Sequence, residues 1–170
     1  MMNCSICVES SKPTVQISDI TDDMRINNRA EIMRMLTEYF SETWKEGDDS
    51  KAFSDPRKVA AAFCGNIMQE SRYNPSATNG IGAYGLCQWL ASRKEELQRV
   101  HNYNLLGSQV EFIIYELENK ERNTLRKLRA EPDATLERYT YLVRRFYERP
   151  GKDEAYDEKR YAYAQYAYND

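Results

Sequence analysis

Apolar residues recur at helical spacing through most of this chain, and no window of useful length alternates with the period of two expected of a half-buried strand. From Asn28 onward, Ile32, Met35, Leu36, Tyr39, Phe40 and Trp44 share one face, which predicts a helix ending before Gly47-Asp48-Asp49-Ser50. Ser54-Asp55-Pro56 predicts the next helix start, with a side-chain cap and proline in the first turn. Val59, Ala60, Phe63 and Ile67 give this second helix an apolar face, and it carries Glu70 at its far end. Ser92-Arg93-Lys94-Glu95 and Ser108-Gln109-Val110-Glu111 both have capping-box spacing. The first predicts a helix through about Asn102, and the second a helix bearing Val110, Ile113, Ile114 and Leu117, continued or restarted through Leu125 and Leu128 before Pro132. Asp133 or Thr135 caps a further helix with Leu136, Tyr139, Leu142, Val143 and Phe146, stopped by Pro150-Gly151, and a last helix runs from about Glu154 to Tyr168. The fold class read from this pattern is mainly α.

One stretch breaks the periodicity. Between Ser71 and Gly85 lie Asn74-Pro75, Asn79-Gly80, Gly82 and Gly85, a density of turn formers that excludes a long regular element. A shaped loop is expected there, with a short helical turn at Leu86 to Leu90 and room for a small hairpin. Residues 1–27 lack sustained periodicity and are expected to form a loosely ordered arm, leaving 28–170 as one catalytic domain.

Composition narrows the function classes. The 170 residues suit a single domain with one core, and the net charge of -3 comes with no basic run or basic-aromatic stripe to track a phosphate backbone. No nucleic-acid partner is expected. The first thirty residues lack the apolar core of a secretion signal and no stretch is long enough to cross a bilayer, so synthesis in a cytoplasm without membrane insertion is expected. Cys4, Cys7, Cys64 and Cys87 are expected as free thiols. Cys4-Ser5-Ile6-Cys7 has CxxC spacing but lacks further ligands, since His101 is the single histidine and reads as a surface residue on a helix. No metal and no cofactor are expected, and a cysteine-based amidase is disfavoured for want of an imidazole base.

Glu70 is the candidate for chemistry. A carboxyl at the C-terminal end of a helix feels the negative pole of the helix dipole, and apolar neighbours disfavour its charge further, so its pKa should be raised. Glycosidic bond cleavage needs such a proton donor, usually with a second carboxylate. Around it, Ser71 can satisfy a freed carbonyl, the Gln88 amide can donate to and accept from sugar hydroxyl or acetamido groups, and Tyr84 and Trp89 offer flat faces to pyranose rings. For Trp89, core and groove are equally open. No Asp or Glu lies between Glu70 and Gln88, and the remote candidate for the second carboxylate is Glu148, with pairing to Arg144, Arg145 or Arg149 as its competing role. Glu95, Glu111 and Glu116 read as cap or surface residues. The Tyr-Ala alternation from Tyr161 to Tyr168 reads as helix packing with phenols near the surface.

These motifs carry a resemblance. Glu70-Ser71-Arg72-Tyr73-Asn74-Pro75, followed by Gly82-Ala83-Tyr84-Gly85-Leu86-Cys87-Gln88-Trp89, resembles the core of the phage tail-type lysozyme family and, more distantly, goose-type lysozymes and lytic transglycosylases. The preceding Phe63-Cys64-Gly65-Asn66-Ile67-Met68-Gln69 and the later Phe146-Tyr147-Glu148-Arg149-Pro150-Gly151 are similar to further segments of that family. The resemblance spans roughly Asn28 to Tyr168. It implies a lysozyme-like helical domain with the Gly-rich loop lining its groove, cutting the glycan strands of bacterial peptidoglycan as a muramidase with Glu70 as general acid. Tyr84, Gln88, Ser71, Trp89 and Glu148 would be the substrate-binding residues. A lytic transglycosylase and a non-catalytic glycan-binding or tail-assembly module are the alternatives. The implied setting is a phage-encoded monomer made in the host cytoplasm and acting on the cell wall, as an endolysin or from the virion, with phage tail proteins as further partners.

Overall fold

Helices form where the apolar periodicity places them, and their packing delivers one carboxyl to the surface. The computed structural model of the protein describes residues 20–46 and 49–170. Among them, α1 is Asp22–Phe40, α2 Pro56–Ser71, α3 Ala91–Gln98, α4 Leu106–Glu118, α5 Arg122–Arg129, α6 Leu136–Leu142 and α7 Asp157–Asn169. A π-helical turn, Val143–Glu148, prolongs α6, and a 3-10 turn, Lys152–Glu154, precedes α7. The mainly α architecture expected from the sequence is the one observed.

Helix α1 starts earlier than its apolar stripe. Thr21 accepts a hydrogen bond from the Met24 backbone N–H at 3.1 Å, and Asp22 and Asp23 follow in the first turn, where carboxylates favour the helix dipole. The last residues assigned to the arm are therefore helical. Residues 1–19, with the Cys4/Cys7 pair, lie outside the described residues. The helix ends at Phe40, so Trp44 leaves it. Trp44 instead begins β1 (Trp44–Glu46), which pairs antiparallel with β2 (Asp49–Lys51), Trp44 opposite Lys51. The reason is aromatic packing: the Trp44 ring lies 4.9 Å from that of Phe53, which in turn packs edge-on to Phe40 at 5.7 Å.

The Asp55-Pro56 start of α2 is as predicted, with the Asp55 carboxylate accepting from the Arg57 N–H at 3.1 Å. Helices α3 and α4 begin before the capping boxes at Ser92 and Ser108. Leu90 and Leu105 take the cap positions without side-chain bonds, and apolar burial at Leu97, Val110, Ile113 and Leu117 sets these helices instead. Thr135 caps α6, accepting from the Arg138 N–H.

Helix α2 is the central strut, sealed from Val59 to Ile67 and packed against α1, α6 and α7. Its crossing with α7 depends on Gly65. A Cβ there would lie 2.3 Å from the Arg160 carbonyl oxygen and 2.7 Å from the Ala164 Cβ. A glycine inside a helix costs about 1 kcal/mol against alanine, so its presence has a packing cause. Gly65→Ala should destabilise the fold by about 1–3 kcal/mol through overpacking against backbone, as read by denaturant unfolding.

Candidate active site

Helix α2 stops abruptly after Ser71. Arg72 and Tyr73 both adopt the left-handed conformation, with φ of 52° and 64°, and the Arg72 N–H bonds back to the Met68 carbonyl. This double turn reverses the chain beside Glu70 and sends Asn74-Pro75 into the loop. The Asn74 side chain accepts from the Ser76 N–H at 2.9 Å, and Asn79 Oδ1 accepts from Ile81 and Ala83 N–H groups. Tyr84 bridges to both Thr78 and Trp89, so the loop closes as a minimal hairpin, and residues 85–88 form a turn in place of the short helix expected there.

Gln109 pins this loop to α4. Its Oε1 accepts from the Leu86 N–H at 2.9 Å while its Nε2 donates to the Pro75 and Tyr103 carbonyls. Gly85, at φ +83°, brings the backbone so close that a Cβ would stand 2.8 Å from Gln109 Oε1.

The Glu70 side chain keeps 19% of its surface exposed and forms an ion pair with Arg160, Oε1 to Nη2 at 2.7 Å. Arg160 itself is 1% exposed. Its guanidinium also donates to the Ala155 carbonyl (2.7 Å), Asn66 Oδ1 (3.1 Å) and the Glu154 carbonyl (3.2 Å). Asn66 is locked in turn by donating to the Ala62 and Thr140 carbonyls. Burial pushes the Glu70 carboxyl above its ordinary value, Arg160 opposes it by charge and hydrogen bond, and the Glu154 carboxylate adds to the rise. The net direction is upward, as the helix-end argument requires of a proton donor.

The expected substrate-binding residues separate into two groups. Tyr84 and Gln88 stay partly exposed. The Gln88 amide nitrogen is committed to the Ala77 and Gly85 carbonyls at 3.0 and 2.9 Å, which leaves its oxygen for a ligand. The Tyr84 ring meets Tyr103 edge-on at 5.8 Å. Ser71 and Trp89 are buried, and Glu148 is half-buried. Ser71 is buried and its hydroxyl donates to the Ile67 carbonyl at 3.2 Å, a bond within the helix. Trp89 is 1% exposed, packs edge-on to Phe112 and donates through its indole N–H to Glu116 at 2.8 Å, so its face is spent on the core.

Glu148 ends the π-helical turn with its Oε1 shut off from solvent and unbonded among the described residues. Arg144 pairs with Asp157 and Arg149 with Glu121, so the partners anticipated for Glu148 are engaged elsewhere. Burial drives its carboxyl well above the ordinary value of 4.5, and the nearby Glu70 charge raises it further, against Arg160, Arg93 and the adjacent Cys87 thiol. Protonation of Glu148 thus favours the folded state. That contribution is complete below the ordinary carboxyl range and is lost as pH climbs toward the raised folded value. Glu148→Gln has no charge to bury, so its melting temperature should gain on the parent's as pH rises from about 5 to 8, by calorimetry at each pH.

Arg160, and site roles for Asn66 and Glu154, were not anticipated from the sequence. Gly65 was the available signal, since a mid-helix glycine announces a close neighbour, but nothing local says which residue that neighbour contributes. Cys64 and Cys87 are free and buried, and burial raises both thiols. His101 is exposed in a turn beyond α3 and not on the helix itself. Among the described residues no group of three His, Cys, Asp or Glu side chains is placed to hold a metal, and no helix is long and apolar enough to cross a membrane.

A family model described as phage tail lysozyme matches residues 50–170, from β2 through α7. The chain belongs to that family. The match includes Glu70, the glycine loop, Glu148 and Arg160, and leaves α1 outside it. No curated protein and no solved structure matches the chain.

Proposed function

We propose that the protein is a muramidase that cuts peptidoglycan between N-acetylmuramic acid and N-acetylglucosamine, with Glu70 as general acid. The observation that carries this reading is a partly exposed carboxyl, raised above its ordinary value by burial, at the end of α2 in a chain of the phage tail lysozyme family. Glu70 protonates the leaving oxygen as the glycosidic bond opens. Arg160, anchored by four acceptors, keeps that carboxyl from swinging into solvent. The free oxygen of Gln88 and the exposed part of Tyr84 would meet the sugar across the groove.

A second reading has one observation in its favour. Glu148 Oε1 is closed to solvent, which ill suits it to activate water. Attack by the muramic acid 6-hydroxyl would then give the anhydro product of a lytic transglycosylase. Digestion of purified peptidoglycan followed by mass analysis of the soluble fragments separates the readings: reducing ends mark hydrolysis and anhydro ends mark transglycosylation. Absence of soluble fragments, with protein sedimenting on the walls, would leave only a glycan-binding module.

A further inference from the structure

The site as described has one carboxyl, Glu70, partly open to solvent and another, Glu148, with its Oε1 closed to it, yet hydrolysis calls for a second that water can reach. The 3-10 turn after Pro150-Gly151 provides one. Glu154 is exposed, and its backbone N–H bonds to the Gly151 carbonyl at 2.9 Å, which fixes the turn. The same Arg160 nitrogen that holds Glu70 Oε1 at 2.7 Å donates to the Glu154 carbonyl at 3.2 Å. Arg160 Nε also holds the next carbonyl, Ala155, at 2.7 Å. One buried guanidinium therefore fixes the end of α2 and the backbone of the turn carrying Glu154 against each other.

Resting on the muramidase reading above, we propose that Glu154 is the second carboxylate of the site, the general base that activates the attacking water. Its charge is felt at Glu70, where it favours the protonated form of the acid. In the step, Glu154 takes one proton from water as the water oxygen bonds to the anomeric carbon. The bond from that carbon to the leaving oxygen breaks, and the Glu70 proton passes to that oxygen. Glu154 is left neutral and Glu70 ionised, and exchange of one proton with solvent restores both. Glu148 is given no part in this step, because its Oε1 is closed to solvent.

Glu154→Gln tests this cleanly, since an exposed side chain whose structural bonds are made by its backbone should be replaceable without loss of folding. Formation of reducing ends on peptidoglycan should fall by about a hundredfold or more, with the melting temperature unchanged. Azide added to Glu154→Gln should restore turnover by supplying a nucleophile that needs no base, and should yield a glycosyl azide; Glu70→Gln should show no such rescue. Reducing-end formation by Glu154→Gln within a factor of two of the parent would overturn the proposal. So would a parent enzyme that releases anhydro ends alone, although Glu70 would keep its role as acid. If Glu70→Gln itself stays active, the reading of the whole site fails, and that outcome is distinct from either of the others.

Discussion

Glu70→Gln should remain folded while peptidoglycan clearing falls by roughly a hundred- to ten-thousandfold. The amide keeps the shape of the acid but has no proton to give. Its oxygen can still accept from Arg160 Nη2, which the carboxylate engages at 2.7 Å, so the Arg160 cluster stays hydrogen-bonded and loses only the charge on one partner. Exchanging a charge-assisted bond for a neutral one costs about 1 kcal/mol, a shift that thermal unfolding resolves and the fold tolerates. Clearing by the variant equal to the parent's would remove Glu70 from the mechanism. A collapse of the melting temperature would instead make Glu70 an anchor for Arg160 first and an acid second. The pH profile provides an independent check. Because burial raises the Glu70 carboxyl, the parent's activity should persist above the ordinary carboxylate range and decline as pH passes the raised value.

The elements that set this site were legible to different degrees, for physical reasons. The end of α2 could be read from residues alone, since Asp55-Pro56 fixes its start, the apolar face its length, and Asn74-Pro75 the turn beyond. The loop was legible as a loop, because glycine and asparagine declare their backbone conformations locally. Its closure was not, because Gln109 comes from α4 and no local signal tells which distant amide will satisfy Leu86 and Pro75. Trp89 shows the same limit. An indole is equally at home on a sugar and in a core, and a buried carboxylate 27 residues on decides which. Arg160 sits amid tyrosines and alanines in a helix whose sequence reads as surface packing, and only the helix crossing at Gly65 turns it inward. Charged residues are legible in sequence as exposed, so a charge buried for a purpose is what a sequence hides best.

Glu116 is the strongest case of that kind and should give the largest loss of stability. The sequence reads it as a cap or surface residue, whereas the structure puts it two residues before the end of α4 and leaves it 1% exposed. Its carboxylate accepts from Trp89 Nε1 at 2.8 Å, Arg93 Nε and Nη2 at 2.7 and 2.9 Å, and the Tyr147 hydroxyl at 2.6 Å. Glu116→Ala therefore strands an indole N–H, a phenol and a largely buried guanidinium together. Removal of one partner from a buried ion pair typically costs about 3–5 kcal/mol, and Glu121, 3.6 Å from Arg93, is too distant to take over the bonds. Glu116→Gln should recover part of this, because one amide oxygen still accepts while the charge is gone. Urea unfolding of the three proteins should rank parent, Gln and Ala in that order, and equal midpoints would show that Arg93 finds full compensation elsewhere. Activity should fall even where the variant stays folded. Tyr147 is held by Glu116 from one side and by the Phe63 ring, 5.4 Å away, from another. It directly precedes Glu148, so loosening it frees the π-helical turn from which the chain runs through Pro150-Gly151 to Glu154. A loss of turnover at temperatures where Glu116→Gln is fully folded would tie this buried carboxylate to the geometry around Glu70.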